Sequence, residues 1–212
     1  MEKISTDDNE GDDLTGGYIV KADKLSSNEV AAWTVPPESS QWSWINYMLH
    51  RPKPDIITES QKQYIKNYFI TYQDKISNNN FSTEDGAQYM IDIPSFIDFI
   101  LLNEYAGNVD SYQFSTFYNK ERGGKLKASP VWDFNLTFGN DIFIWGYDRS
   151  KPDIWQHSFK SKYFNDLFYS ETFNYYLVNR WEELTQTGMP FHHDYVYNLI
   201  DSIADWISEA VE

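Results

Sequence analysis

The segment that decides the fold reads NVDSYQFSTFYNKERGGKLKASPVWDFN, from residue 108 to residue 135. Phe114, Thr116 and Tyr118 recur at every second position, as on one face of a strand, and a second extended run follows at residues 126–131. Gly123-Gly124 stands between the two runs. Because a Gly-Gly pair readily adopts the backbone conformations of tight hairpin turns, the pattern predicts a β-hairpin over residues 113–131.

Two aspartates flank the open ends of this hairpin. Asp110 comes before the first strand and Asp133 comes after the second, so pairing of the strands would make them neighbours. Two carboxylates beside a cleft are typical of a metal site or a general base. In phosphoryl transfer, one carboxylate orients the attacking hydroxyl and a second holds the magnesium that bridges the nucleotide phosphates. The hairpin therefore predicts a candidate site formed by Asp110 and Asp133.

A purely structural interpretation of the same residues stays open. Asp110 could cap a turn, and Asp133 could accept a hydrogen bond from a nearby backbone amide. Trp132 and Phe134 could pack in the core, and two aspartates at a hairpin are a weak motif on their own. The order of a loop Asp, a hairpin and an Asp-Phe pair matches protein kinases, in which Asp-Phe-Gly would stand at residues 133–135.

Helical periodicity appears on both sides of the hairpin. The predicted helices share a capping residue followed by apolar side chains three and four positions apart. The first helix begins at Thr58 and ends before residues 77–80, and the second runs from about Ile93 to Ala106. The third runs from Ser170 to Gly188, and the fourth begins at Asp194. Thr58 and Gln61 form a capping box at the start of the first helix.

The N-terminal part of the chain shows weaker patterns. Residues 17–22 predict one short strand without a partner in this chain, whose partners we expect upstream. Residues 26–57 contain four prolines and three tryptophans, and they predict an irregular connection. The expected fold class is α+β, mostly helical, with one small antiparallel hairpin.

Composition and charge restrict the class of partner. With 17 Lys and Arg against 32 Asp and Glu, the formal net charge is −15, which repels phosphate backbones and anionic lipids. Nucleic acids and membrane surfaces are therefore poor partners, and no run approaches the ~20 apolar residues of a membrane span. The absence of Cys excludes disulfides and thiol catalysis but leaves the compartment open.

Several other motifs are missing. Residues 1–13 carry a dense acidic run without the ligand spacing of a calcium loop, and we interpret them as a solvated loop ahead of a domain spanning residues 14–212. The first residues also lack the pattern of a secretory signal. The four histidines lack zinc-ligand spacing, and neither a Gly-x-Ser-x-Gly nor a P-loop motif occurs.

An ordered set of segments resembles the spore coat protein H (CotH) kinase-like family. The segments are GGYIVKAD at 16–23, YMIDIPSFID at 89–98, LNE at 102–104, NVDSY at 108–112 and PVWDFNLTFGN at 130–140. The similarity extends from about residue 14 to about residue 210. The ordered set is far more specific than any single segment.

The resemblance implies a fold like the C-terminal lobe of a protein kinase and an activity that transfers the γ-phosphate of ATP to Ser or Thr of a protein substrate. It implies that Asp110 is the catalytic-loop base and that Asp133 binds Mg²⁺ or Mn²⁺. It also suggests a bacterial protein that is secreted or displayed at the cell surface, although this chain carries no signal for that location.

Two departures from a typical kinase affect these expectations. Ser115 stands where many kinases place a metal-binding Asn, which favours a one-metal site or assistance from Asn135. No Gly-rich loop followed by Val-Ala-Ile-Lys precedes Asp110, so we expect the nucleotide-covering lobe to lie upstream of this chain. Lys21 and Lys24 could approach a phosphate, but solvent-facing roles are more typical of such lysines.

A non-catalytic function is the alternative. A kinase-like scaffold without chemistry could use an acidic, aromatic face to recognise a protein or a glycan, because flat aromatic rings complement sugar faces. The candidate aromatic residues are Trp33, Trp42, Trp44, Trp145, Tyr147 and Trp155, and packing in the core is expected for most of them.

Overall fold

The computed structural model describes residues 2–36, 44–140, 151, 153–157 and 161–209. Within these residues the fold is α+β, as predicted, with five α-helices and one five-stranded sheet. The strands are β1 (Tyr18–Ala22), β2 (Trp33–Val35), β3 (Ile45–Arg51), β4 (Thr116–Lys120) and β5 (Leu126–Ala128). The helices are α1 (Glu59–Ser77), α2 (Ile93–Tyr105), α3 (Lys162–Leu167), α4 (Glu171–Leu184) and α5 (His193–Glu209).

The strand at residues 17–22 is not an orphan, so that prediction is wrong. The sheet order is β2-β3-β1-β4-β5, and each neighbouring pair is antiparallel. The strand β1 therefore lies at the centre and pairs with β3 on one side and β4 on the other. Its partners are within the described chain and need no upstream segment.

The interpretation of residues 26–57 as irregular is also wrong, because β2 and β3 lie there. In β3 the consecutive side chains Tyr47, Met48 and Leu49 are all buried. A strand buried in this way has no apolar and polar alternation, so the sequence lacks the usual signal of a half-buried strand.

The predicted hairpin is confirmed as β4 and β5. Tyr118 pairs with Ala128 and Lys120 pairs with Leu126. At the turn, Gly123 has a φ of 62°, a left-handed conformation that glycine adopts without steric cost.

The helix starts follow the predicted capping residues closely. Thr58 and Gln61 form the capping box of α1. Asp92 accepts a hydrogen bond from Ser95 N over 3.0 Å at the start of α2, and Ser170 Oγ accepts one from Phe173 N over 3.3 Å at the start of α4. The helix α4 ends at Leu184, before the predicted Gly188, and α5 begins at His193, next to the predicted Asp194.

Aromatic side chains form the core between the sheet and the first two helices. The ring of Phe69 on α1 lies 5.1 Å from that of Tyr47 on β3 and 5.2 Å from that of Tyr118 on β4. Phe96 on α2 stacks on Phe164 at 5.7 Å. All five rings are at most 3% exposed, so this cluster joins the sheet, α1, α2 and α3 in one apolar layer.

The chain divides into two compact units, Met1–Phe173 and Asn174–Glu212. The sheet and the predicted site belong to the first unit. The second contains most of α4 and all of α5, and α5 exposes large apolar side chains such as Ile203 and Trp206. Among the described residues, no helix is long and apolar enough to cross a bilayer.

The acidic N-terminal segment is mostly exposed but is tied to the rest of the first unit. The side chain of Gln61 donates to the carbonyls of Ser5 and Asp8 over 2.6 and 3.1 Å. Arg122 in the hairpin turn pairs with Asp8 at 3.3 Å and with Asp13 at 2.7 Å. The helix α1 and the hairpin therefore share this segment as a partner.

A buried lysine connects the same parts of the structure. Lys120 on β4 is 2% exposed, and its Nζ donates to the carbonyl of Thr15 over 2.6 Å. The ammonium also lies 4.8 Å from the ring centre of Tyr68 and 5.6 Å from that of Tyr64, and both distances are within the range of cation–π contacts. Burial lowers the pKa of Lys120 to about 8.

We expect Lys120→Met to change how stability depends on pH. The unfolded chain binds more protons than the folded protein between the folded pKa of about 8 and the ordinary Lys value, so the wild-type free energy of unfolding should rise with pH in that window. The rise, about 3 kcal/mol at most, should be missing from the Met variant. Urea denaturation at pH 7 to 10.5 measures the free energy of unfolding of both proteins, and exposed Lys24→Met is the control. Parallel pH profiles for wild type and Lys120→Met would refute the prediction.

Candidate active site

A hydrogen bond joins the two halves of the predicted site. Asp110 lies in the turn after α2 and is half-buried, whereas Asp133 follows β5 and is exposed. Ser115, at the end of the loop that carries Asp110, donates from Oγ to Oδ2 of Asp133 over 3.3 Å. The loop of Asp110 and the side chain of Asp133 therefore meet at the open end of the hairpin.

Backbone hydrogen bonds hold the same two segments side by side. Val109 N donates to Leu136 O over 3.3 Å, and Phe138 N donates to Ala106 O over 2.6 Å. Each bond links the loop between α2 and β4 with the segment after β5. The two segments that carry the aspartates are thus fixed relative to each other by their backbones.

Two buried asparagines orient the backbone at Asp110. Asn103 on α2 donates from Nδ2 to Phe99 O over 2.8 Å, and its Oδ1 accepts from Asn108 Nδ2 over 2.9 Å. The Oδ1 of Asn108 in turn accepts from Asp110 N over 3.3 Å. Because both amides are nearly inaccessible to water, this relay connects the interior of α2 to the backbone of the candidate base.

Glu104 fixes the other side of the loop. Its carboxylate accepts hydrogen bonds from Tyr112 OH over 2.6 Å and from the backbone N–H groups of Gln156 and His157, both over 2.8 Å. Burial raises the pKa of Glu104, while the three donors act in the opposite direction. Glu104 thereby links α2, the loop of Asp110 and the chain near residue 156.

The backbone of this region adopts conformations that side-chain-bearing residues rarely take. Five described non-glycine residues have positive φ, and four of them belong to this region: Tyr112 at 71°, Ser115 at 49°, Asp133 at 62° and Phe138 at 51°. Each such residue costs on the order of 1 kcal/mol, and such residues concentrate at functional sites. The clustering supports a functional interpretation of these two segments.

The donor set suits a magnesium ion that a nucleotide helps to bind. Among the described residues, no three His, Asp or Glu side chains come together as a metal cage. Magnesium is commonly held by only one or two carboxylates together with phosphate oxygens and water, so the carboxylate of Asp133 beside the hydroxyl of Ser115 fits such a site. Ser115 is engaged with Asp133, whereas the exposed side chain of Asn135 makes no hydrogen bond to any described residue.

Other residues singled out in the sequence lie elsewhere. Lys21 pairs with Glu29 at 2.6 Å and Lys24 is exposed, and within the described residues neither forms an ion pair with Asp110 or Asp133. Trp132 is 62% exposed, which argues against the alternative that it packs in the core. Among the proposed sugar-stacking residues, Trp33 is buried, Trp44 and Trp155 are exposed, and Trp42, Trp145 and Tyr147 lie outside the described residues.

Sequence reasoning missed the supporting roles of Asn103, Glu104 and Asn108. The available signal was the pair Asn103 and Glu104 in the last turn of the predicted helix 93–106, directly after the apolar run at residues 99–102. Buried polar groups need partners, so such a pair predicts a hydrogen-bond network. The sequence did not reveal that this network would reach Asp110 and Tyr112.

Comparison with known proteins identifies the family of the chain. A family model described as CotH kinase protein matches residues 1–212, the whole chain. No curated protein and no solved structure matches it. The chain belongs to the CotH kinase protein family and forms a kinase-like domain.

We expect Glu104→Ala to lower the free energy of unfolding by about 3 kcal/mol, because it removes the acceptor of three donors in a largely buried place. Exposed Glu84→Ala should change stability by less than about 0.5 kcal/mol. Urea denaturation of both variants measures the difference. Equal stabilities would show that the loop of Asp110 does not depend on Glu104.

Proposed function

We propose that this chain provides the catalytic base and a metal ligand of an ATP-dependent phosphotransferase that acts on Ser or Thr hydroxyls of a protein. The observation that carries the proposal is the contact of Ser115 with Asp133, which joins the loop of Asp110 to the segment after β5. Membership of the CotH kinase family supports the class of reaction.

The proposed roles follow from the chemistry of the two carboxylates. Asp110 orients the substrate hydroxyl and accepts its proton as the oxygen attacks the γ-phosphorus. The new bond joins that oxygen to phosphorus, the bond to the β,γ-bridging oxygen breaks, and ADP leaves with the bonding electrons. Positioning by rigid neighbours is most of what a kinase contributes, and the buried relay from Asn103 to Asp110 suits that task.

Asp133 is the proposed ligand of Mg²⁺ or Mn²⁺, with Ser115 and Asn135 as the candidate neutral ligands. A bound metal would neutralise the negative charge of the nucleotide phosphates. Asp133 is exposed, and within the described part of the chain only the neutral hydroxyl of Ser115 donates to its side chain, so the carboxylate is accessible to a cation. Because Asp110 and Asp133 are both acidic and the chain carries a net charge of −15, a bridging cation would be needed to hold a polyanion at this site.

Replacement of Asp133 by Asn should weaken magnesium-dependent nucleotide binding on the order of tenfold or more, because the amide keeps the shape and removes the charge. Titration calorimetry with Mg-ATP on the full-length protein measures the affinity. Asp201→Asn, an exposed carboxylate of α5, is the matched control. An unchanged affinity in a folded Asp133→Asn protein would rule out the metal role.

Replacement of Asp110 by Asn should lower phosphate transfer by about 10²- to 10⁴-fold, the usual contribution of a general base, while nucleotide binding is largely kept. Transfer of radiolabelled phosphate from ATP to protein, tested with magnesium and with manganese, measures the rate. Activity that survives Asp110→Asn would remove Asp110 from the proposed mechanism.

The 212-residue chain alone should bind ATP weakly and transfer little phosphate, because we propose that an upstream lobe covers the nucleotide and supplies a phosphate-binding Lys. Activity should appear when about 100 or more upstream residues are present. Strong transfer by the chain itself would contradict this requirement.

A kinase-like binding module for a protein or a glycan is the second candidate. Large aromatic side chains beside the aspartates favour it, since Trp132 is 62% exposed and Phe138 is 74% exposed. Such rings can anchor a partner without any chemistry. Absence of transfer by the folded full-length protein with both metals would favour this function.

A further inference from the structure

A pocket of about 460 Å³ lies at the end of the sheet opposite to the aspartates. The strands β3 and β4 run in the same direction, because both are antiparallel to β1. The loop of Asp110 precedes β4 and touches the start of β3, where Gln113 donates to Trp44 O over 3.1 Å. The pocket is instead lined by Arg51, the last residue of β3.

The pocket concentrates positive charge in an acidic chain. Lys3, Arg51 and Lys53 line it together with His50, whereas no Asp or Glu does. Within the described part of the chain, none of the three cations forms an ion pair. Their positive charge is therefore available to a ligand, in contrast to that of Lys21.

The rest of the lining is apolar. Leu49 and Pro52 are buried, Ile4 is half-buried, and Ile56 is 54% exposed. A cavity of this size suits a small organic ligand, and an apolar wall with a few convergent charged groups is the usual composition of such sites. The lining thus favours a ligand with both an anionic group and an apolar group.

Tight packing shapes two sides of the pocket. Gly17, which has a φ of 101°, contacts the N-terminal segment so closely that a Cβ there would lie 2.7 Å from Ile4 N. On the other side, the ring of His50 makes an edge-to-face contact with Phe117 at 5.8 Å. The cationic rim is therefore supported by contacts to the sheet.

We propose that this pocket binds an organic phosphate, namely a phosphate monoester with an apolar substituent. A monoester carries a charge of about −1.5 to −2 at neutral pH and has several acceptor oxygens, which suits two lysines and the forked guanidinium of Arg51. The apolar substituent would contact Leu49 and Pro52. This site is separate from the Asp110 and Asp133 pair and needs no metal ion.

Calorimetry with phenyl phosphate in the presence of EDTA tests the proposal on the full-length protein. Phenyl phosphate should bind about tenfold more tightly than inorganic phosphate, since its ring adds apolar contact area, and more tightly than benzoate, which carries one charge. Binding should weaken as salt is added. Failure of phenyl phosphate to bind at millimolar concentration, or equal binding of benzoate, would overturn the proposal.

Substitutions at the rim of the pocket test whether the ligand binds there. Arg51→Gln and Lys53→Gln should each reduce the affinity for phenyl phosphate about tenfold, because each removes one positive charge from an exposed position of the rim. Lys24→Gln also removes one positive charge, but Lys24 is exposed and follows the end of β1 that lies away from the pocket, so the affinity should not change. Asp133→Asn changes the separate aspartate site and should also leave the affinity for phenyl phosphate unchanged. Circular dichroism checks folding of each variant. Equal affinity of Arg51→Gln, Lys53→Gln and Lys24→Gln would place the ligand elsewhere and refute the proposal.

Discussion

The pairing of β1 with both of its neighbours is the interaction on which the rest of the structure depends. On one side β1 pairs with β4 from Tyr18 opposite Lys120 to Ala22 opposite Thr116, and on the other side it pairs with β3. An isolated two-stranded hairpin is only marginally stable in water. Incorporation of β4 and β5 into a five-stranded sheet therefore gives the two aspartates a rigid base, and the aromatic core above the sheet stabilises that arrangement.

The candidate site itself lies outside the regular elements. Asp110 lies in a turn and Asp133 in the irregular segment after β5, and positive φ values at Tyr112, Ser115 and Asp133 would be unfavourable in an unsupported loop. The buried ring of Tyr112 packs 4.7 Å from Phe164, and its hydroxyl is held by Glu104. The core thus offsets the conformational cost at the site, so the geometry of the two segments depends on buried residues such as Tyr112 and Phe164.

The features predicted correctly from sequence are local ones. Capping residues, helical periodicity and the Gly-Gly turn act between residues close in the chain, and they correctly indicated α1, α2 and the hairpin. The place of β1 in the sheet was missed because it depends on β3, whose buried residues do not alternate. The meeting of the loop of Asp110 with Asp133 followed from hairpin geometry. The roles of Asn103 and Glu104 depend on tertiary partners, which a single sequence does not specify.

The sheet also separates two proposed sites of opposite charge. The aspartates need a divalent cation before they can hold an anionic ligand, whereas the pocket at Arg51 presents positive charge directly. The strand β3 has seven residues, so the two ends of the sheet lie about 20 Å apart. That separation exceeds the Debye length of about 8 Å at physiological ionic strength. Ligands at the two ends should therefore bind independently in physiological salt, and any coupling through charge should appear only at low ionic strength.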